Sequence, residues 1–115
     1  YINYSTTNSR SDLLASLRDW NTSIELHPGD DSSYSLRAWV KKELGDFKGA
    51  ILDINMAIDI LPKADYYFQR ALVKGASSDL VGACSDINIA ISMGSKEASD
   101  FFIDEPKLAR YCRQF

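Results

Sequence analysis

Tyr34-Ser35-Leu36-Arg37-Ala38-Trp39-Val40-Lys41, followed by Gly45-Asp46-Phe47-Lys48-Gly49-Ala50 and Asp53-Ile54-Asn55-Met56-Ala57-Ile58, is a stretch that the chain writes twice. Shifted by 33 positions, residues 34–60 fall on residues 67–93 with 13 of 27 positions identical. Ordinary residue usage would give about two. The shared positions include Tyr34/Tyr67, Arg37/Arg70, Asp46/Asp79, Gly49/Gly82, Asp53/Asp86 and Asn55/Asn88. A fainter copy lies upstream at an offset of 34, where Asp12, Asp19, Asn21, Ile24 and Pro28 stand over Asp46, Asp53, Asn55, Ile58 and Pro62. The chain is therefore a repeat protein with a period of 33 to 34.

A period of this length marks a supersecondary unit that cannot bury its apolar face alone and stacks on its neighbours. Ankyrin and tetratricopeptide units share the length, so residue pattern decides between them. The Thr-Pro-Leu-His type turn and the hairpin tip of an ankyrin unit are absent. The middle unit instead resembles a tetratricopeptide repeat, with an aromatic at Tyr34, small Ala38, Gly45-Asp46-Phe47 at the turn between helices, Ala50, Ala57 and a closing Pro62. Small residues at such places let paired helices approach, and the proline stops the second helix. The resemblance is strong over residues 31–93 and weaker over 12–28.

What it implies is an all-α, right-handed α-solenoid of antiparallel helix pairs, with about two and a half repeats and C-terminal capping helices. Residues 1–115 are expected to form a single domain: an arm at 1–11, a half repeat at 12–28, repeats at 31–64 and 65–94, and a cap at 95–115. Residue 1 is Tyr rather than Met, which points to a fragment or a processed form, and the first repeat lacks its first helix.

Composition narrows the function. A formal charge of -3 and a pI near 5.0 give no electrostatic reason to expect nucleic acid. No apolar run is long enough for a membrane span, and no signal peptide is visible. Cys84 stands where the preceding repeat has Ile51, so it reads as a small buried hydrophobe, and Cys112 lies near the end. A disulfide between them is left open; reduced cysteines and a cytoplasmic setting are the default.

Taken in order, Leu13, Leu17, Trp20 and Ile24 follow helical spacing, with Ser11 or Asp12 placed to cap and His27-Pro28-Gly29 to stop the helix. Ser32 or Ser33 can cap the next helix, which reaches Leu44 and ends at Gly45. The helix over residues 46–61 carries two apolar stripes, and the second, Leu52, Met56 and Ile60, predicts packing on both sides. Residues 65–74 and the segment bearing Leu80, Ala83, Ile87, Ala90 and Ile91 repeat the pair. Lys96 to Ile103, with Phe101 and Phe102, and a last helix introduced by Asp104 and Pro106 complete the chain.

No grouping of residues supports catalysis. His27, the one histidine, has no second histidine or nearby cysteine, so neither a metal centre nor a catalytic group forms around it. There is no Ser/His/Asp order, no GxSxG and no phosphate-cradling glycine loop. Asp104-Glu105 reads as a cap and helix-dipole partner. Arg37 with Asp53, and Arg70 with Asp86, are each 16 apart, and predict an ion pair inside each helix hairpin rather than a row of ligand-binding arginines. Asn21, Asn55 and Asn88 recur within helices, where asparagine is a poor helix former; hydrogen bonding to a neighbouring repeat is one use, and their role is left open.

In the resembled family the first helices line a concave groove. By alignment its positions are Ser35, Trp39 and Lys42, then Phe68, Leu72 and Gly75, with Leu36, Gln69 and Lys63 near the rim. Members that grip a C-terminal carboxylate place Asn where this chain has Trp39 and Leu72, so that pattern is absent. What remains is an apolar and aromatic patch edged by Lys41, Lys42 and Lys74, suited to an amphipathic helix or extended segment unless the C-terminal helices fill it. The expected function is a non-catalytic protein-protein interaction module without cofactor or metal. The alternative is a homo-oligomerising structural or scaffold unit that self-associates through Leu13, Leu17 and Trp20.

Overall fold

Helical punctuation recurs with the repeat. In the structure, a computed structural model that describes residues 9–114, Asp46 and Asp79 each cap a helix by accepting a hydrogen bond from the amide three residues on, Gly49 or Gly82, at 2.9 Å. The glycines are there because the cap is tight. A Cβ at Gly49 or Gly82 would overlap the aspartate carboxylate.

The described residues form seven α-helices: α1 (Arg10–Leu26), α2 (Asp31–Glu43), α3 (Phe47–Ile60), α4 (Ala64–Ala76), α5 (Leu80–Ser92), α6 (Lys96–Asp104) and α7 (Pro106–Cys112). They fall into two compact units, the first ending at Leu61 and the second starting at Pro62. In the first, α2 packs against both α1 and α3; in the second, α4 pairs with α5, and α5 with α6 and α7. The all-helical architecture of consecutive packed helices is that of a helical repeat.

Three helices end alike. Gly45 and Gly94 take φ of 86° and 94°, and the following amide, of Asp46 or Ser95, donates to the carbonyl five residues back, Lys41 or Ala90. This is the Schellman closure, which needs a left-handed residue. Ser78 occupies the place of Gly45 in the next repeat and adopts φ of 71°, with the Asp79 amide on the Lys74 carbonyl at 2.8 Å. A side chain is strained there. Ser78→Gly is therefore expected to stabilise the chain by about 0.5–1 kcal/mol, and Gly45→Ala to destabilise it by about 1 kcal/mol. Thermal melts of the two variants would move in opposite directions, by roughly 2–6 °C each.

The caps correct the sequence reading in detail. α1 starts at Arg10 with Ser9 as its cap, whose hydroxyl accepts from the Asp12 amide, so residues 10 and 11 are helix rather than arm. The rest of the expected arm, residues 1–8, lies outside the described residues. Asp30 caps α2 in place of Ser32 or Ser33. Its carboxylate takes the Ser32 amide and the Ser33 hydroxyl, and buried Ser33 also meets Ser23 of α1 at 3.0 Å. α7 is capped from Glu105 with Pro106 at its first position, because α6 runs on to include Asp104.

In the first unit the core comprises Leu13, Tyr34, Ala38, Val40, Ala50, Ile54 and Ala57. The second stripe of α3 is not buried as expected. Leu52 is 62 % exposed, and Met56 and Ile60 are exposed as well, so α3 packs through one apolar face. In the second unit, Ala71, Ala83, Ile87, Ala90 and Ala98 form the centre, with Tyr67, Phe68, Ile91, Phe101, Phe102 and Leu108 packed around them. Alanines at the helix contact allow the close approach that the repeat pattern implied.

The cysteines are a correction. Cys84 on α5 and Cys112 at the end of α7 form a disulfide, with Cα atoms 5.1 Å apart. Cys84 is buried, as its place in the repeat suggested, but α7 folds back along α5 and delivers Cys112 to it. The default of two reduced thiols does not hold.

Candidate functional site

Helical spacing on α2 separates two faces. Ser33, Tyr34, Arg37, Ala38, Val40 and Lys41 turn toward the helices packed on it, while Ser32, Ser35, Leu36, Trp39, Lys42 and Glu43 occupy the opposite side. Trp39 is 45 % exposed and Leu36 44 %; Ser35 and Lys42 flank them half-buried. Two large apolar side chains three residues apart thus share a stripe that the core does not use. An indole with an open face is a strong contact group, since it offers apolar area together with a hydrogen-bond donor.

The matching stripe of α4 carries Phe68, Gln69 and Leu72. Leu72 is exposed, and Gln69 and Gly75 are half-buried. Phe68 is engaged otherwise: its ring meets Phe101 of α6 edge to face, with centroids 5.6 Å apart. At this position the C-terminal segment supplies the contact. Lys63 is exposed, with its ammonium 5.4 Å from the Tyr66 ring centroid. Lys41 and Lys74 do not edge the patch, because each turns to a buried carboxylate, Asp53 or Asp86, at 3.1 Å.

Those carboxylates are the centres of a repeated network. Arg37 donates through Nε and Nη2 to both oxygens of Asp53 at 2.8 and 2.7 Å, and Arg70 does the same to Asp86 at 2.8 Å for each bond. The fork geometry fixes the register between the two helices of a hairpin. The guanidiniums also stand over aromatic rings, Arg37 at 5.7 Å from the Tyr34 centroid and Arg70 at 5.2 Å from that of Tyr67. Arg37 donates further to Asn21 of α1 at 3.0 Å, which gives the mid-helix asparagine a role in joining one repeat to the next. Hydrogen bonding to the aspartate raises the pKa of each arginine above its ordinary value, and burial opposes it. The arginines belong to the architecture.

α1 packs on α2 and buries Leu13, while Leu17 and Trp20 are half-buried. This stripe is not the uncovered face that self-association would use. Among the described residues, no group of three or more His, Cys, Asp or Glu side chains is placed to hold a metal ion, and His27 is exposed. No helix among them is long and apolar enough to cross a membrane.

No protein-family model matches the chain. A curated relative, tetratricopeptide repeat protein 36 of Danio rerio, is 43 % identical over 49 residues. The match takes in 43 % of this chain and 26 % of that protein, so the chain spans about a quarter of the relative's length. The likeness supports helical repeats similar to tetratricopeptide units, in agreement with the repeated pair of helices.

Proposed function

We propose that this chain is a non-catalytic protein-protein interaction module of the tetratricopeptide-repeat kind, and that the outer stripe of α2 receives a peptide or helix of a protein partner. The observation that carries the reading is Trp39, a half-exposed indole beside exposed Leu36 on a helix face that the core leaves free. Leu36 and Trp39 supply the apolar anchor; Ser35 and Lys42 supply polar contacts at its edges. The second unit carries a comparable stripe of its own on α4, exposed Leu72 with half-buried Gln69, while Phe68 there is engaged with Phe101. The relative's name, a tetratricopeptide repeat protein, is in keeping with this reading.

The test uses Trp39 as its own reporter. In Trp20→Phe, Trp39 is the sole tryptophan, and its emission is expected to be red-shifted and readily quenched by iodide. Peptides selected against the chain from a random display library should shift that emission to the blue and protect it. Trp39→Ala is expected to weaken such peptides tenfold or more, which corresponds to at least about 1.4 kcal/mol. Peptides that bind Trp39→Ala as tightly as the parent chain would overturn the reading.

A further inference from the structure

The two C-terminal helices are attached to the second unit unequally. α6 places fully buried Ala98 and the rings of Phe101 and Phe102 against the cluster of Ala71, Ala83, Ile87 and Ala90. α7 has far less to hold it. It is seven residues long, its cap makes no side-chain hydrogen bond, and its buried residues are Ala109 and Cys112, with Leu108 and Tyr111 half-buried. Two helical turns do not persist in water unaided, and one buried methyl with two half-buried side chains is a small anchor beside that of α6. The bond from Cys112 to Cys84 is the covalent tie between α7 and α5.

We propose that the Cys84–Cys112 disulfide is a redox latch on α7: a dithiol reductant opens it, α7 leaves α5, and α6 stays seated. The electrons balance simply. The dithiol gives up two electrons and two protons and closes to its own disulfide, the Cys84–Cys112 sulfur–sulfur bond breaks, and two thiols form. Both cysteines are 1 % exposed, so attack requires the C-terminal end of α7 to fray locally first. Cys112 is the last residue of that helix, where fraying begins, and this gives the reductant its entry. Departure of α7 uncovers α5 around Cys84, in a shallow concavity lined by Val81, Cys84, Ser85, Asn88 and Ile89. The oxidised chain keeps that strip covered, and the reduced chain presents it. All the helices involved lie in the second unit, so the latch is independent of the α2 reading.

Hydrogen exchange of the full chain, oxidised and after treatment with dithiothreitol, tests this. On reduction, amide protection over residues 109–112 is expected to fall at least about tenfold, while residues 68–73 of α4 and 84–90 of α5 stay within about threefold of their oxidised values. Cys112→Ser should exchange like the reduced chain and be indifferent to dithiothreitol. Alkylation of the reduced chain under native conditions should label Cys112 rapidly. Unchanged protection of α7 after reduction would overturn the latch, as would a loss that spreads equally through α4, α5 and α7, since the bond would then be a staple for the whole unit.

Discussion

Removal of everything after Gly94 is expected to reduce the helical circular dichroism signal by up to about half and to abolish the cooperative melt of the second unit. The truncation takes away α6 and α7, and with them Ala98, Phe101, Phe102 and Leu108, which cover one side of the cluster built on Ala71, Ala83, Ile87 and Ala90. What is left of the second unit is one helical hairpin with its alanine-rich seam exposed. The two phenylalanines are half-buried, and their burial contributes roughly 2–3 kcal/mol together. Typical domain stability is about 5–15 kcal/mol, and small helical repeats depend on a covered end. Phe68 would lose Phe101, its edge-to-face partner, as well. A shorter deletion, after Glu105, removes only α7 and the disulfide, and the chain should remain folded with a lower Tm. An unchanged melt for the Gly94 truncation would show that the first unit and the α4–α5 hairpin carry the stability by themselves.

The helix pairing was legible because the repeat supplies its own control. A residue that recurs at the same place in two copies, such as Asp46 and Asp79 or Arg37 and Arg70, has a local job that one helix hairpin can explain. The pairing of Arg37 with Asp53 followed from their common spacing, and the structure makes both pairs bidentate. What the repeat does not contain was not legible. Cys84 and Cys112 are 28 apart, and only the turn between α6 and α7, set by Pro106, brings them together. Hydropathy alone placed Leu52, Met56 and Ile60 on a buried stripe. Periodicity shows that apolar residues share a helix face, but it does not supply the surface that would cover them.

For the candidate site, spacing alone grouped residues of α2 and of α4 into stripes. It could not give the environment of each residue. Phe68 and Trp39 sit at neighbouring register positions of successive repeats, yet the first meets Phe101 and the second is half-exposed. Likewise Lys41 and Lys74 looked like a basic rim. Each lies one turn from its arginine, on the side that faces the buried aspartate, and three-dimensional placement pairs it there.

The ion pairs set the second large effect. Arg70→Ala and Arg37→Ala are each expected to cost about 3 kcal/mol and to lower Tm by roughly 10 °C or more. The cost arises from the carboxylate left behind: Asp53 is 4 % exposed and Asp86 1 %, and each would keep a single lysine contact at 3.1 Å in place of a two-bonded guanidinium and a lysine. The surviving lysine holds the loss to the lower end of what breaking a buried pair costs. Arg37→Ala should also raise amide exchange in α1, because the bond to Asn21 goes with it. Arg37→Lys keeps the charge but lacks the fork, and should fall between parent and alanine variant. The discriminating variant is the double replacement Arg37→Met with Asp53→Leu. It removes both charges together, so no carboxylate is stranded, and stability should return to within about 1 kcal/mol of the parent. Peptides that bind the α2 stripe should bind all of these variants alike at temperatures where they are folded. If Arg37→Ala instead melted like the parent and lost those peptides, the arginine would be a ligand-binding group, and the repeated Arg–Asp pairs would have to be read as a recognition surface rather than as the clasp of each hairpin.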